Sequence, residues 1–106
     1  MAKYEVKDGV GIIPEGATKI EEYAFQDCIN LISVIIPDSV TRIERYAFGG
    51  CTSLTSVVIP NSVTNIVEDA FFNCRNITSI TLPNSVTNIE PFAFYFFKKM
   101  SKENLQ

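Results

Sequence analysis

The chain contains no histidine in its 106 residues. That removes the side chain best suited to moving a proton near neutral pH, and with it the usual base for a cysteine or serine nucleophile. General base work would fall to carboxylates, lysine or cysteine. Cysteines number three, an odd count that argues against a disulfide framework. A zinc site needs four converging N, S or O ligands. Three cysteines at a constant spacing make a line rather than a tetrahedron. There is no glycine-rich phosphate loop. No catalytic residue, metal site or cofactor is therefore expected. A basic stripe is also missing: nine lysines and arginines against twelve acidic residues leave a scattered net charge of −3, which speaks against a nucleic-acid partner. No apolar run approaches the roughly 18 residues of a membrane-spanning segment, so no membrane insertion is expected. The opening MAKYEVKDGV lacks a charged start followed by an apolar run, so no signal peptide is read in it. The literal expectation is a cytoplasmic protein, unless a leader has been removed.

What the chain does have is a period. Apolar residues make up 46%, which excludes intrinsic disorder, and they recur every 23 residues. Proline stands at Pro14, Pro37, Pro60 and Pro83. Isoleucine stands at Ile20, Ile43, Ile66 and Ile89. The pair Ala-Phe stands at Ala24/Phe25, Ala47/Phe48, Ala70/Phe71 and Ala93/Phe94. Cys28, Cys51 and Cys74 hold one row, whose fourth place is Phe97. Leu31, Leu54, Ile77 and Met100 close the units. Self-similarity at one fixed period marks a solenoid or array.

The consensus L-x-x-V-x-I-P-x-S-V-T-x-I-x-x-x-A-F-x-x-C-x-x-L, carried by SVIIPDSVTRIERYAFGGCTSL and SVVIPNSVTNIVEDAFFNCRNI, resembles the BspA-type (Treponema pallidum-type) leucine-rich repeat over roughly 12–100. The fold class expected is a repeat solenoid: a right-handed leucine-rich-repeat-like coil of short parallel β-strands and short helical turns, built from four 23-residue repeats. The repeats fall at about 12–31, 32–54, 55–77 and 78–100. An N-terminal cap or hairpin is expected over 1–11, with Asp8-Gly9 as its turn, and a polar tail over 101–106. The resemblance also implies a setting at the cell surface or outside the cell, against the literal reading of the N-terminus. The compartment is left open.

Each repeat reads as three parts. The first is a strand such as Ser33–Ile36, whose alternation turns Val34 and Ile36 inward and Ser33 and Ile35 outward. Pro37 ends it, because proline has no N–H for a ladder. The second is a turn and extended piece from Ser39 to Ile43, with Val40 and Ile43 inward and Thr41 outside. The third, Glu44 to Cys51, is expected as a helical turn that sends Ala47, Phe48 and Cys51 into the core. Acidic residues gather where it begins (Glu21, Glu22, Glu44, Glu68, Asp69 and Glu90). They suit the positive end of a helix dipole, and equally a solvated acidic face. The cysteines read as small hydrophobes in one interior column. One such unit buries too little to stand alone, so neighbours must stack. At about 4.8 Å between strands, four repeats make a stub on the order of 15–20 Å long.

Repeat proteins bind through equivalent positions of successive units. One outward row is Val10, Ser33, Ser56 and Ser79; the next is Ile12, Ile35, Val58 and Thr81. Ser33, Ile35, Ser56, Val58, Ser79 and Thr81 are the candidate partner face. The competing reading is that β-branched residues here only favour strands. Glu15, Asp38, Asn61 and Asn84 form a ladder that could take sugar or Ca²⁺, or could simply cap turns. Thr18, Thr41, Thr64 and Thr87 form a ladder expected to hydrogen-bond across strands. Asn76-Ile77-Thr78 fits the glycosylation pattern, which matters only in a eukaryotic secretory pathway. The last repeat departs from the consensus with Phe92, Tyr95, Phe96 and Phe97, followed by a polar KKMSKENLQ. Phe92, Tyr95 and Phe96 either cap the core or meet another chain. The expected function is a non-catalytic module binding a protein, or a glycan, through its strand face. The resemblance adds adhesion as the setting. The alternative is a structural, self-associating solenoid or a fragment of a longer array, with a homodimer through the aromatic end or the strand face.

Overall fold

The computed structural model describes residues 4–93. The chain enters through a hairpin. β1 (Glu5–Lys7) runs antiparallel to β2 (Val10–Ile12), with Val6 opposite Gly11. Asp8 and Gly9 form the turn at φ of 53° and 82°. Two positive φ values twist a two-residue loop to match the strands, and Asp-Gly is the pair that accepts them.

From β2 the chain coils. β2 pairs in parallel with β4 (Ser33–Val34), placing Val10 beside Ser33 and Gly11 beside Val34. β6 (Ser56–Val58) pairs in parallel with β8 (Ser79–Thr81), and a lone parallel bridge from Ile35 to Val58 carries the ladder between the two pairs. Val34, Val57 and Ile80 thus stand in one buried column, as their alternation requires.

A turn then redirects each coil. The Val40 N–H donates to the Pro37 carbonyl at 3.1 Å, and Val63 to Pro60 and Val86 to Pro83 repeat the bond. Proline suits this start, since the chain must leave the first ladder there and proline needs no N–H partner. The second side of the coil is more than an extended piece. β3 (Lys19–Ile20), β5 (Arg42–Ile43), β7 (Asn65–Ile66) and β9 (Asn88–Ile89) form a second, four-stranded parallel sheet in strict 23-residue register. The threonine ladder lies at its start. The Thr41 hydroxyl donates to the Thr18 carbonyl at 3.1 Å and Thr64 to Thr41 at 3.4 Å, so the hydroxyls bond to backbone rather than to one another.

The third side corrects the expectation of helical turns: no helix forms among the described residues. The reason lies in the backbone. Tyr23, Tyr46, Asp69 and Phe92, one per coil, take φ between 56° and 64°, and Asp27, Gly50 and Asn73 are left-handed too, at 59°, 74° and 61°, four residues later. Left-handed residues break an α-helix within a turn. They also alternate the direction of the peptide groups. The N–H groups of Ala24, Gln26 and Cys28 donate within their own coil, to Glu21, Tyr23 and Phe25. Those of Tyr23, Phe25 and Asp27 donate to the next coil, to Arg45, Ala47 and Gly49. A third ladder therefore joins the coils. With no helix there is no dipole for the acidic residues to complement. Glu44 instead pairs with Arg42 at 3.0 Å, and a Glu90 carboxylate oxygen accepts the Glu68 N–H at 3.1 Å.

Inside, Phe25, Phe48 and Phe71 stack face to face, with ring centres 5.3 and 5.0 Å apart and planes within 13°. All three are fully buried. The Cys51 thiol donates to the Phe25 carbonyl at 3.0 Å and Cys74 to Phe48 at 2.9 Å. Cys51 and Cys74 are buried, whereas Cys28, in the first coil, is partly exposed. Tyr4 closes that end. Its ring meets Phe25 edge-on at 5.3 Å, its N–H donates to the Ala24 carbonyl, and its hydroxyl accepts from the Glu21 N–H at 3.2 Å.

Candidate interaction surface

The first ladder presents its outward side chains as parallel columns, one member per coil. Gly11 beside Val34 puts Ile12 next to Ile35, and Ile35 bridges Val58, which pairs in turn with Thr81. Ile12 is 44% exposed, Ile35 80% and Val58 67%. These are large apolar side chains held in water by a backbone that cannot turn them inward without reversing every core residue. Ser56 and Thr81 are exposed and Ser33 is half-buried; Ser79 contributes its backbone pairing with Ser56. The structure thus brings the candidate partner face together in two adjoining columns.

Two residues missed in the sequence enlarge this surface. Ile29 and Ile32 are 67% and 53% exposed. The repeat register held the signal: their rows read Ile29, Thr52, Arg75 and Ile32, Thr55, Thr78, an isoleucine alone in otherwise polar company. Ile32 packs over the hairpin turn, its Cδ1 lying 3.0 Å from where a Cβ on Gly9 would sit. Along the first ladder, the outward apolar side chains thus belong to the first three coils, and the fourth carries Thr81 instead.

Beside the Ile35–Val58 column runs an open groove of about 570 Å³. Ile36 and Ile59, both nearly fully buried, line it with Pro60, and Asp38 and Asn61 lie along it. Asp38 is its single ionisable lining residue among the described ones. A second opening, at the N-terminal end, is lined by Tyr4, Pro14, Gly16 and the carboxylates of Glu15, Glu21 and Glu22. Burial raises the Tyr4 hydroxyl above its ordinary pKa, opposed by its bond to the Glu21 N–H.

The thiols lie away from both openings. Burial pushes the Cys74 thiol up to about 12, so it stays protonated at neutral pH and is a poor nucleophile. Among the described residues no three potential ligands cluster to hold a metal ion, and no helix is long and apolar enough to cross a membrane. Of the candidate self-association end, Phe92 is 61% exposed; Tyr95 and Phe96 lie outside the described residues.

A repeat solenoid with parallel ladders and one leucine- or isoleucine-closed coil every 23 residues is the architecture of leucine-rich repeats. The family model described as the BspA type leucine rich repeat region (6 copies) matches residues 12–106. The chain belongs to this family. No curated protein matches it. Among solved structures it is similar to a leucine-rich repeat protein from Bacteroides ovatus, with 40% identity over 73% of this chain and a TM-score of 0.66. It is also similar to the T. pallidum leucine rich repeat protein, with 30% identity over 73% of this chain and a TM-score of 0.63. A leucine rich cell surface protein from Faecalibacterium prausnitzii shows 32% identity over 79% of this chain and a TM-score of 0.57. The chain spans 20%, 42% and 32% of those three chains, less than half of each. Families of this kind are repeat modules for protein interaction and are generally non-enzymatic.

Proposed function

We propose that this chain is a non-catalytic module that docks a protein partner on the strand face formed by Ser33, Ile35, Ser56, Val58, Ser79 and Thr81, in an adhesive setting at the cell surface. The observation that carries the reading is the column of Ile12, Ile35 and Val58. It holds three β-branched side chains in register, heavily exposed. Strand propensity explains a β-branched residue at any one place, but it does not require the first coil to add Ile29 and the second Ile32. A contiguous exposed apolar cluster of that kind is the mark of a docking site. The cell-surface setting takes support from the F. prausnitzii neighbour, which is described as a cell surface protein. A glycan is the weaker ligand class here, because the described lining of the groove beside the column includes no aromatic ring for a sugar to stack on. The test is capture of partners from host-cell or matrix extract by the wild type and by Ile35→Lys/Val58→Lys, both checked for an unchanged circular dichroism spectrum. Loss of capture in the double variant supports the face; equal capture places the docking elsewhere.

A second reading is self-association, and one observation favours it: Phe92 is 61% exposed in the coil that carries the aromatic run Phe92, Tyr95 and Phe96. Changing Tyr95 and Phe96 to serine should then shift a dimer toward monomer in sedimentation. A sharp monomer at high wild-type concentration would dismiss this reading.

A further inference from the structure

We infer that the occupant of the strand-face groove is an extended peptide segment that sets an aliphatic side chain against Ile35 and Val58 and a lysine or arginine beside Asp38. The inference rests on the strand-face reading and names the partner's chemistry. Three observations carry it. The groove is floored by aliphatic side chains from two successive coils, Ile36 and Ile59, with Pro60 as a rigid part of its lining. Such a surface gains from burying another aliphatic group, by about 25 cal/mol for each Å² removed from water, and it offers nothing to a flat sugar face. Polar recognition is confined to one edge, where Asp38 and Asn61 stand at the same position of adjoining coils. In the preceding coil this position is Glu15, also exposed. The edge therefore carries carboxylates, and among the described residues no lysine or arginine lines the groove to neutralise them.

The geometry joins the two contacts. Ile35 and Asp38 are three residues apart on one coil, with the turn at Pro37 between them. A partner can therefore meet the apolar column and the carboxylate with side chains only a few residues apart, an extended chain advancing about 3.3 Å per residue. A lysine or arginine can lay its methylenes along the aliphatic floor while its charge reaches the carboxylate. A glutamate in that place would meet Asp38 as a like charge, with no lysine or arginine among the described lining residues to offset it.

The test uses the full chain and three fluorescent 12-residue peptides sharing one central Leu-Val-Leu, flanked by lysine, serine or glutamate pairs. Binding is read by anisotropy at low and high salt. The lysine-flanked peptide is expected to bind about tenfold more tightly than the glutamate-flanked one at low salt, with the difference shrinking as salt is added. Asp38→Asn is expected to bring the two within about twofold of each other while leaving the serine-flanked peptide unchanged. Equal binding of all three peptides, or a lysine preference that survives in Asp38→Asn, overturns the inference. So does the absence of binding by any peptide. The underlying reading fails separately: its failure is peptide binding that persists in Ile35→Lys/Val58→Lys. Binding that this double variant abolishes, without charge preference, keeps the face and removes the proposed partner chemistry.

Discussion

The two ends of the stack hold the same residues in different surroundings. Ile20, Ile43 and Ile66 are fully buried, yet Ile89, at the same position, is 41% exposed. Val40 and Val63 are fully buried while Val86 is only partly so, and Leu82 is less covered than Ile59 above it. The sequence of the coil barely changes between these places. What changes is the pairing: β7 lies between β5 and β9, whereas β9 pairs with β7 alone among the described residues. At the first coil, Tyr4 and the β1 strand occupy the place of a preceding coil, and Ile20 and Phe25 stay dry. A side chain in this fold is thus buried by the coil next door more than by its own. Ala93 marks the limit of the difference, since at 1% exposure it remains as buried as Ala70.

That contrast can be broken most forcefully in the middle. Phe48 lies between two parallel rings at 5.3 and 5.0 Å. Phe48→Ala is expected to cost about 3–5 kcal/mol, read by urea unfolding, because it opens a cavity shared by three coils. At the capped end the cost should be smaller. Tyr4→Ala removes an edge-on ring contact and a hydrogen-bonded hydroxyl, for about 1–3 kcal/mol. Tyr4→Phe keeps the ring and should lose only about 1 kcal/mol. If both variants cost the same, the hydroxyl and not the ring is the cap.

Alkali sharpens the comparison from within. The Cys74 thiol ionises near 9.0 when exposed and near 12 in the fold. Its folded pKa is raised, so its contribution is full below pH 9 and declines as pH climbs from 9 toward 12, at up to about 1.4 kcal/mol per pH unit. Tyr4, also raised, acts in the same direction above pH 10. Melting temperature should fall through this window, and Cys74→Ala should flatten part of the fall. The smallest effect belongs to the outward column. Ile35→Lys and Val58→Lys point into solvent and should each change stability by no more than about 0.5 kcal/mol, which is what allows them to report on binding alone.

The sequence laid open the parts of the fold that period and alternation control. The columns Val34/Val57/Ile80, Phe25/Phe48/Phe71 and the outward Ile12/Ile35/Val58 are set by position within 23 residues. Two things were hidden. Tyr23, Tyr46, Asp69 and Phe92 are ordinary letters, and nothing in them announces a left-handed backbone. Yet that conformation is what replaces the expected helical turn with a third ladder. It is held by packing between side chains: Tyr23 stacks on Tyr46 at 5.5 Å, the Arg45 guanidinium lies 5.1 Å from the Tyr46 ring centre, and Phe72 meets Tyr46 edge-on at 5.8 Å. Gly11 was the other. It stands in the first coil where the later coils have Val34, Val57 and Ile80. In the structure a Cβ there would lie 2.9 Å from Phe25 Cζ and 3.0 Å from Leu31 Cδ1, so the missing side chain makes room for the core to close against β2. Of the candidate surface, the columns were legible. Ile29 and Ile32 became visible only once the rows were compared residue by residue.

The most direct measurement places one substitution at two levels of the stack. Ile66→Ala and Ile89→Ala remove the same atoms from the same position of neighbouring coils, and urea titration gives both costs. The expected result is about 2–5 kcal/mol for Ile66 and less than half of that for Ile89. Equal costs would contradict the claim that each coil is buried by its neighbour.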